Sequence, residues 1–212
     1  MIPLLHDFEG ETVLVVGGGP VGARKARTFA REARTVVVSP AFADRDFGDA
    51  ALVRAAPAPE DLSDWVARLD PALVVAATDD EAVNGAAERA AREAGALVNR
   101  ADRSGGRDAG SVVVPATVRD DPVVAAVATG GAAPALSKEL RRRIESEIEG
   151  AGAMAELVAE IRADLRASDA SPTDRREAVR AVVEASSVWK ALQEGVSNAR
   201  QEAERVMEEI DD

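Results

Sequence analysis

The stretch from Val13 to Ala26 sets the tightest limit on what this chain can fold into. It opens with the apolar run Val13–Val16, which predicts a buried parallel strand. Glycines follow at Gly17, Gly19 and Gly22 in the spacing G-x-G-x-x-G, and a helix is predicted directly after them. A strand, a glycine turn and a helix in this order are typical of a dinucleotide-binding βαβ unit.

The spacing gives each of these glycines a separate predicted role. Gly17 allows the tight turn, Gly19 lets a pyrophosphate approach the backbone, and Gly22 lets the helix pack closely on the sheet. The helix begins near Pro20 and Val21, where free N–H groups and the positive end of the helix dipole would face the phosphates. A glycine-rich turn without a nucleotide is the alternative, and the flanking strand and helix favour the nucleotide site.

The first half of the chain alternates between predicted strands and helices. Strands are predicted at 13–16, 35–38, 51–55, 73–77 and 96–99, and helices at 20–33, 60–69 and 83–94. This alternation predicts an α/β fold with a parallel sheet that carries helices on both faces.

The ends of the second and fourth strands are expected to border the same crevice as the glycine turn. Many NAD-binding domains place an acid at the end of the second strand, whereas this chain has Ser39, with Arg45 a few residues on, so NAD and NADP both stay open. One of Asp79 and Asp80 is expected to cap the following helix. The cofactor contacts predicted at these strand ends are Ser39, Ala41, Phe42, Thr78 and Asp79.

Charge and cysteine content exclude several classes of function. With 38 acidic and 26 basic residues the net charge is -12, which repels nucleic acid and anionic membranes, so we expect neither as a partner. The chain has no cysteine, which excludes disulfides and thiolate chemistry, and its one histidine, His6, forms no metal cage. We therefore predict no metal site.

Composition also bears on location. The chain has neither an apolar run of the roughly 18 residues that span a membrane nor an N-terminal secretion signal, so we expect a cytoplasmic protein. Its basic residues are arginines except for Lys25, Lys138 and Lys190, and this bias, with the acidic surface, resembles proteins of salt-loving organisms.

The second half of the chain breaks the alternation. Apolar runs at 111–114 and 123–127 predict two antiparallel strands, and everything from residue 135 onward is predicted to be helical. Apolar residues recur at helical spacing in 154–165 and in one longer helix that ends at Gly195, and these stripes are expected to be packing surfaces. We predict a Rossmann domain over 1–110, a dimerisation region over 111–149 and a C-terminal helical region over 150–212.

Several motifs together resemble the siroheme synthase family, in its precorrin-2 dehydrogenase and sirohydrochlorin ferrochelatase module. Besides the glycine turn, the resemblance rests on A-T-D-D-x-x-V-N at 77–84, N-x-x-D at 99–102, and Thr129 followed by G-G-x-x-P at 130–134. The resemblance covers residues 1 to about 145. The methyltransferase domain that is fused to some family members is expected to be absent.

The resemblance implies an NAD-dependent oxidation of precorrin-2 to sirohydrochlorin, with insertion of ferrous iron as a possible second activity. Both steps release protons, and Asp102 matches the aspartate that the family is thought to use as the base. Partial burial would raise the pKa of this carboxyl and make it a better base. A loop-capping aspartate is the alternative.

The resemblance also implies the residues that bind the substrate. A polycarboxylate on a protein of this charge needs positive groups, and Arg100, Arg103, Arg107 and Arg119 lie near the motifs, although scattered surface arginines are the alternative. Substrate contacts are expected from Asn99, Arg100, Arg103, Thr129, Gly130 and Gly131. The family builds a homodimer through the region after the Rossmann domain. A different NAD(P) oxidoreductase and a non-catalytic nucleotide sensor stay open as alternatives.

Overall fold

The computed structural model describes residues 2–103 and 110–211, and its chain contacts divide it into two units, Met1–Val114 and Pro115–Asp212. The first unit contains a five-stranded sheet in the order β3-β2-β1-β4-β5, and every pairing in it is parallel. Its strands are β1 Thr12–Val16, β2 Arg34–Ser39, β3 Ala51–Arg54, β4 Leu73–Ala76 and β5 Leu97–Arg100. The predicted α/β fold with a parallel sheet is confirmed.

Helices cover both faces of this sheet because neighbouring residues of a strand point to opposite sides. Leu14 and Val74 lie in one apolar cluster with residues of α2 and α3, whereas Val15 and Val75 lie in the other with residues of α1. The helices are α1 Pro20–Phe29, α2 Leu62–Leu69 and α3 Glu81–Glu93, and a short 3-10 turn, Pro59–Asp61, leads into α2.

The order in which the chain adds strands to the sheet reverses direction at β1. From β1 the chain steps outward on one side to β2 and β3, and then returns to place β4 and β5 on the other side. Val16, Ala76 and Arg100 lie in one row across β1, β4 and β5. Loops that follow this row lie at the carboxyl edge of the sheet, where open α/β sheets bind their ligands.

The prediction of a strand at 111–114 in the antiparallel unit is wrong. This segment belongs to the first unit, where Ser111 forms a single parallel bridge to Val98 and the Val112 N–H donates to the Val98 carbonyl at 2.7 Å. Val112 and Val114 pack against the cluster on the α1 face of the sheet. The apolar character of these valines is used for packing, but their partner is the edge strand β5.

The second unit contains a small antiparallel hairpin followed by helices. The hairpin consists of β6 Ala116–Asp120 and β7 Val123–Val127, so β6 takes the place of the strand predicted at 111–114. The α4 helix contacts this hairpin, and α5–α8 enclose their own core around Leu157, Ile161 and Val182. The helices are α4 Pro134–Glu147, α5 Ala151–Ala167, α6 Pro172–Glu184, α7 Ser186–Glu194 and α8 Val196–Asp211.

The single helix predicted to end at Gly195 is two helices. Ala185 adopts an extended conformation with ψ of 110° and separates α6 from α7. Val182 and Val188 are both fully buried in the core of the second unit. Six residues of continuous helix would turn these side chains about 120° apart, so the break helps both of them to face the core.

Candidate functional site

The glycine turn after β1 packs against the end of β4. Gly17 has φ of +120°, and a Cβ placed on it would lie 2.4 Å from the carbonyl oxygen of Ala77. A Cβ on Gly22 would lie 1.9 Å from the carbonyl oxygen of Gly17. Both positions therefore require glycine, one for the turn and one for the contact between α1 and the turn.

Gly19 differs from its neighbours because the space that a side chain at this position would occupy is open. No described heavy atom lies within 4 Å of the position that a Cβ on Gly19 would take. Gly19 is the N-cap of α1, and in the described structure no side chain caps this end and no acidic residue stands in its first turn, which begins at Pro20 and Val21. Uncapped backbone N–H groups at a helix N-terminus form a site for an anion.

The residues that follow β2 close around Gly18. A Cβ on Gly18 would lie 2.3 Å from the Ala41 carbonyl oxygen and 2.8 Å from the ring of Phe42. The buried Ser39 hydroxyl donates to the same Ala41 carbonyl at 2.7 Å. Ser39, Ala41 and Phe42 therefore lie against the glycine turn, at one side of the opening beside Gly19.

Arg54, at the end of β3, lies at the same edge. Its Nη1 donates to the Pro40 carbonyl at 3.2 Å, and its guanidinium carbon is 5.7 Å from the centre of the Phe42 ring. The Arg45 guanidinium donates to the Asp44 carbonyl.

Thr78 and Asp80 shape the loop after β4. The Asn84 side chain accepts from the Thr78 N–H at 3.1 Å and donates to the Thr78 carbonyl at 2.8 Å. One Asp80 carboxylate oxygen accepts from the N–H groups of Ala82 and Val83, so Asp80 is the residue that caps α3. Asp79 is exposed between them.

Asp102 lies two residues beyond the row of Val16, Ala76 and Arg100, in a cluster of charged side chains. The Nε of Arg100 donates to Asp102 Oδ1 at 2.9 Å, and its Nη2 donates to Asp102 Oδ2 at 2.7 Å. The Asp102 side chain is 18% exposed and that of Arg100 only 5%.

Two carboxylates from α3 hold the other side of the Arg100 guanidinium. Its Nη1 donates to Glu88 Oε2 at 2.8 Å, and its Nη2 donates to Glu81 Oε2 at 2.7 Å. Arg92 also binds Glu88, and Arg103 binds Glu81 at 2.6 Å. We call Arg100, Asp102, Glu81 and Glu88 the Arg100 cluster.

The Arg100 cluster decides the ionisation of its carboxyl groups. Burial pushes the pKa of Asp102 upward, but hydrogen bonds and charge from Arg100 outweigh it and hold this pKa below its ordinary value. Burial likewise raises the pKa of Glu88, and the hydrogen bonds from Arg100 and Arg92 bring it below its ordinary value. Asp102 is therefore ionised at neutral pH, and the increase in pKa expected from burial alone is not what the structure gives.

Asn99 precedes Arg100 in β5, and its buried side chain has one polar atom without a partner among the described residues. Its Nδ2 donates to the Val112 carbonyl at 2.8 Å, which fixes the orientation of the amide because that carbonyl only accepts. Its Oδ1 is buried and has no donor among the described residues. A buried acceptor of this kind is suited to a ligand N–H.

The other site residues predicted from the sequence come later in the chain than the strands of this edge. Arg107 lies outside the described residues. Thr129, Gly130 and Gly131 belong to the second unit, where the Thr129 hydroxyl is 2.8 Å from that of Ser137, and Arg119 is 3.7 Å from Asp121 in the same unit. The first unit thus brings together the glycine turn, the strand ends and Asp102.

These residues fit a nicotinamide dinucleotide. The open N-terminus of α1 suits a pyrophosphate, the crowded backbone at Gly17 and Gly18 shapes the turn beside it, and Asn99 Oδ1 suits an amide N–H. No group of three His, Cys, Asp or Glu side chains that could hold a metal ion occurs among residues 2–103 and 110–211. In the same ranges, no helix combines the length and the apolar character that crossing a membrane requires.

Sequence reasoning missed Glu81 and Glu88 as partners of Arg100. The two glutamates are seven residues apart, which places them on one face of α3, and buried alanines such as Ala87 and Ala91 surround them in the sequence. Acidic residues at this spacing on an alanine-rich helix were the available signal for a buried cation.

Comparisons with known proteins cover the whole chain. A family model described as putative NAD(P)-binding matches residues 4–116. A siroheme synthase of Stutzerimonas stutzeri is 37% identical over 98% of this chain and 43% of its own length. A precorrin-2 dehydrogenase of Methanosarcina barkeri is 31% identical over 95% of this chain and 91% of its own length.

The solved structures include a similar fold. The protein described as SirC, precorrin-2 dehydrogenase, matches with a TM-score of 0.72 and 24% identity, over 97% of this chain and 100% of that one. The chain spans less than half the length of the siroheme synthases that it matches, 43% for those of Stutzerimonas stutzeri and Methylococcus capsulatus.

Proposed function

This chain belongs to the family of siroheme synthases and precorrin-2 dehydrogenases, and on that premise we propose that it oxidises precorrin-2 to sirohydrochlorin with a nicotinamide cofactor. One observation carries the proposal to this chain's own residues. The glycine turn follows Val16 and Asp102 follows Arg100 from the same row, with only β4 between their strands. At the usual strand spacing the two loops start about 10 Å apart, close enough to serve one reacting centre.

The residues divide into those that hold the cofactor and one that moves a proton. The N-terminus of α1 would bind the pyrophosphate, and the segment Ser39–Phe42 would border the adenosine. A bound nicotinamide supplies the acceptor for two electrons from the substrate. Asn99 Oδ1 would accept from the carboxamide N–H, which matches its lack of a donor.

Asp102 is the proposed general base. Oxidation of precorrin-2 removes one hydride, for which the nicotinamide is the acceptor, and one separate proton, and a carboxylate that is ionised at neutral pH takes that proton without first losing one. Arg100 occupies one lone-pair position on each oxygen of Asp102, and a carboxylate has about four, so positions for the proton are left.

Substrate binding is proposed to involve Arg103 and the glycine turn of the second unit. The Arg103 side chain is 38% exposed, so its guanidinium is accessible to a substrate carboxylate. Thr129, Gly130 and Gly131 provide a hydroxyl and exposed backbone before α4. The Arg100 side chain, at 5% exposure and with three protein carboxylates around it, is better suited to holding Asp102 than to binding substrate.

NAD is the proposed form of the cofactor. The Ser39 hydroxyl donates to the Ala41 carbonyl, and one N–H of Arg54 donates to the Pro40 carbonyl, so both side chains are oriented by the backbone of this loop. Binding of NAD and NADP to the protein, followed by calorimetry, tests this point. Tighter binding of NADP that is lost in Arg54→Ala would overturn it.

A homodimer built through the second unit is also proposed. Its two-stranded hairpin is short and its α4 helix has no fully buried residue, and such elements gain stability when another surface covers them. Light scattering should give twice the 22.1 kDa of one chain. A cytoplasmic location and a salt-loving source stay predictions, the second of them from the acidic composition.

The decisive experiment follows NADH formation when the protein is incubated with precorrin-2 and NAD. We expect turnover by the unaltered protein and a loss of at least about 100-fold in Asp102→Asn, because general bases contribute factors of that order. Asp64→Asn removes an exposed carboxylate from α2 and is the matched control, with unchanged turnover. Cofactor binding without NADH formation would instead indicate a nucleotide sensor.

Ferrous iron is the proposed second substrate. Adding it to the product of the first reaction, with and without the protein, tests whether the protein accelerates the absorbance change that accompanies metal insertion. An equal rate without the protein would limit its activity to the dehydrogenation.

A further inference from the structure

We propose that Arg100 is the positioning residue of Asp102, holding its carboxylate in one orientation at the tip of β5 so that it can act as the base. The inference rests on the proposed role of Asp102 and gives Arg100 a different task from substrate binding.

The geometry between the two side chains is the first support. Arg100 donates from two different nitrogens to the two different oxygens of Asp102, at 2.9 and 2.7 Å. A guanidinium is planar and rigid, so a two-point contact of this kind fixes the plane of the carboxylate as well as its distance. One hydrogen bond would leave the carboxylate free to rotate.

Arg100 can fix Asp102 only if Arg100 is itself fixed, and the α3 helix provides this. Glu88 accepts from Nη1 and Glu81 from Nη2, and both glutamates are parts of a regular helix that packs on the sheet. With its side chain 5% exposed, Arg100 has little room to change rotamer. The orientation of Asp102 is thus set by a strand and a helix rather than by its own loop.

The charges around the Arg100 cluster alternate in sign. Three carboxylates face Arg100, while Arg92 binds Glu88 and Arg103 binds Glu81 on their outer sides. Arg100 forms an ion pair with Asp102, and the charge of Arg103 acts on it more weakly, so Arg100 is the main opposite charge on that carboxylate. This agrees with the lowered pKa of Asp102, in which Arg100 is the strongest cause that opposes burial.

The test removes Arg100 without leaving a buried charge behind. Arg100→Gln alone would leave Glu88, whose side chain is 11% exposed, without its buried partner, and the fold would be at risk. The double variant Arg100→Gln/Glu88→Gln removes both charges together. Glu88→Gln alone keeps the contact of Arg100 with Asp102 and is the control for the loss of Glu88.

A second control comes from the other unit. Arg200 also lies beside three carboxylates, Glu160, Asp164 and Glu204, so Arg200→Gln removes an arginine with as many carboxylate partners from a more exposed position, at 30% side-chain exposure. Any general effect of losing such an arginine on folding should appear in this variant. We expect neither control to raise the pKa of Asp102, since Glu88→Gln removes a nearby like charge and can only lower this pKa, and Arg200 lies in the other unit.

Two readouts are needed, and one of them is independent of turnover. The ¹³C carboxyl resonance of Asp102, assigned by its absence in Asp102→Asn, should titrate about 1 pH unit or more higher in the double variant. The acid limb of kcat should move upward by the same amount. At neutral pH, kcat should fall about tenfold or more with KM changed much less, because the loss of orientation outweighs the gain in basicity that the higher pKa brings. Arg100→Lys should restore part of the titration shift, because it keeps the charge, but little of kcat, because it loses the two-point contact.

An unmoved Asp102 titration in the folded double variant would overturn the inference, and so would a moved titration with unchanged kcat. If the unaltered protein forms no NADH from precorrin-2 while Asp102 titrates as expected, the contact between the two residues stands and the proposed function fails. The two failures are therefore distinguishable.

Discussion

Gly19 and Gly22 belong to the same motif, yet a side chain at each would meet entirely different surroundings. A Cβ on Gly22 would collide with the Gly17 carbonyl at 1.9 Å, whereas a Cβ on Gly19 would meet no described atom within 4 Å. Gly19 also has φ of -74°, which any residue can adopt. The structure therefore separates a glycine needed for packing from one that leaves space for a ligand.

This separation gives a prediction from one pair of matched variants. Gly22→Ala should lower the free energy of unfolding by about 1–3 kcal/mol or more, because the backbone must move to relieve the collision. Gly19→Ala should cost less than about 1 kcal/mol, as for an alanine at a helix N-cap, but should weaken NAD binding strongly because the new methyl group occupies the open side. Urea denaturation and calorimetric NAD titration measure the two effects.

The opposite pattern would contradict this assignment. If Gly19→Ala binds NAD as well as the unaltered protein, the open side of Gly19 does not face the cofactor. If Gly22→Ala unfolds at the same urea concentration as the unaltered protein, α1 does not pack on the turn as described.

Residue types and their spacing predicted the glycine turn because its physics is local. The φ of +120° at Gly17 and the close contact of Gly22 with the Gly17 carbonyl both arise within the motif, so the motif records them in the sequence. The surroundings of Arg100 were not predictable in the same way, because Glu81 and Glu88 come from an element that precedes β5 by several residues. An arginine close to an aspartate in sequence fits two predictions equally well, a substrate-binding residue and a partner of that aspartate. The residues on the facing side of α3 decide between them.

At the scale of whole elements, the start of α6 is the feature most completely specified by local sequence. The Ser171 hydroxyl accepts from the Asp174 N–H at 3.2 Å, and the Asp174 carboxylate accepts from the Ser171 N–H at 3.1 Å. Pro172 occupies the first helical position, where its missing N–H costs nothing. A serine N-cap with an acid three residues later is a helix-start signal that can be read from local sequence alone.

The reciprocal cap gives a prediction about stability. Ser171→Ala removes the acceptor for one N–H of the first turn and should reduce the free energy of unfolding by about 1 kcal/mol. Ser171→Asp keeps a capping oxygen and should stay close to the unaltered protein, so it serves as the matched variant. Urea denaturation followed by circular dichroism measures both, and equal losses in the two variants would show that the cap is not the cause.

Elements whose pairing depends on distant partners were harder to predict. The residues 111–114 and β6 are both extended and partly apolar, and only the position of β5 decides which one joins the hairpin with β7. The break at Ala185 carries neither proline nor glycine, so no local signal predicts it. It accompanies the burial of both Val182 and Val188 in the core of the second unit. The Trp189 indole N–H donates to the Val183 carbonyl at this break, a contact that periodicity alone does not reveal.

At the scale of the whole molecule, the dominant property is a net charge of -12. Arginines are paired with carboxylates along the helices of the second unit, for example Arg180 with Glu184 and Arg200 with Asp164. Such exposed pairs contribute little individually, so they do not cancel the repulsion among the excess carboxylates. Repulsion among the excess carboxylates therefore destabilises the native state, and the strength of this repulsion depends on ionic strength.

We expect the melting temperature to rise as NaCl increases from about 0.05 to about 0.5 M. Over such a range the Debye length falls from more than about 10 Å to a few ångströms, which weakens the repulsion between surface carboxylates. Most of the increase should occur early, since screening is nearly complete once that length is shorter than the spacing of surface charges. A salt effect on the solvation of apolar groups would instead continue to grow in proportion to concentration.

NaCl and KCl at equal ionic strength should give the same curve if screening is the cause. A melting temperature that is constant or falls with added salt would show that the excess carboxylates are not what limits stability, and would remove the physical reason for linking this composition to a salt-rich environment.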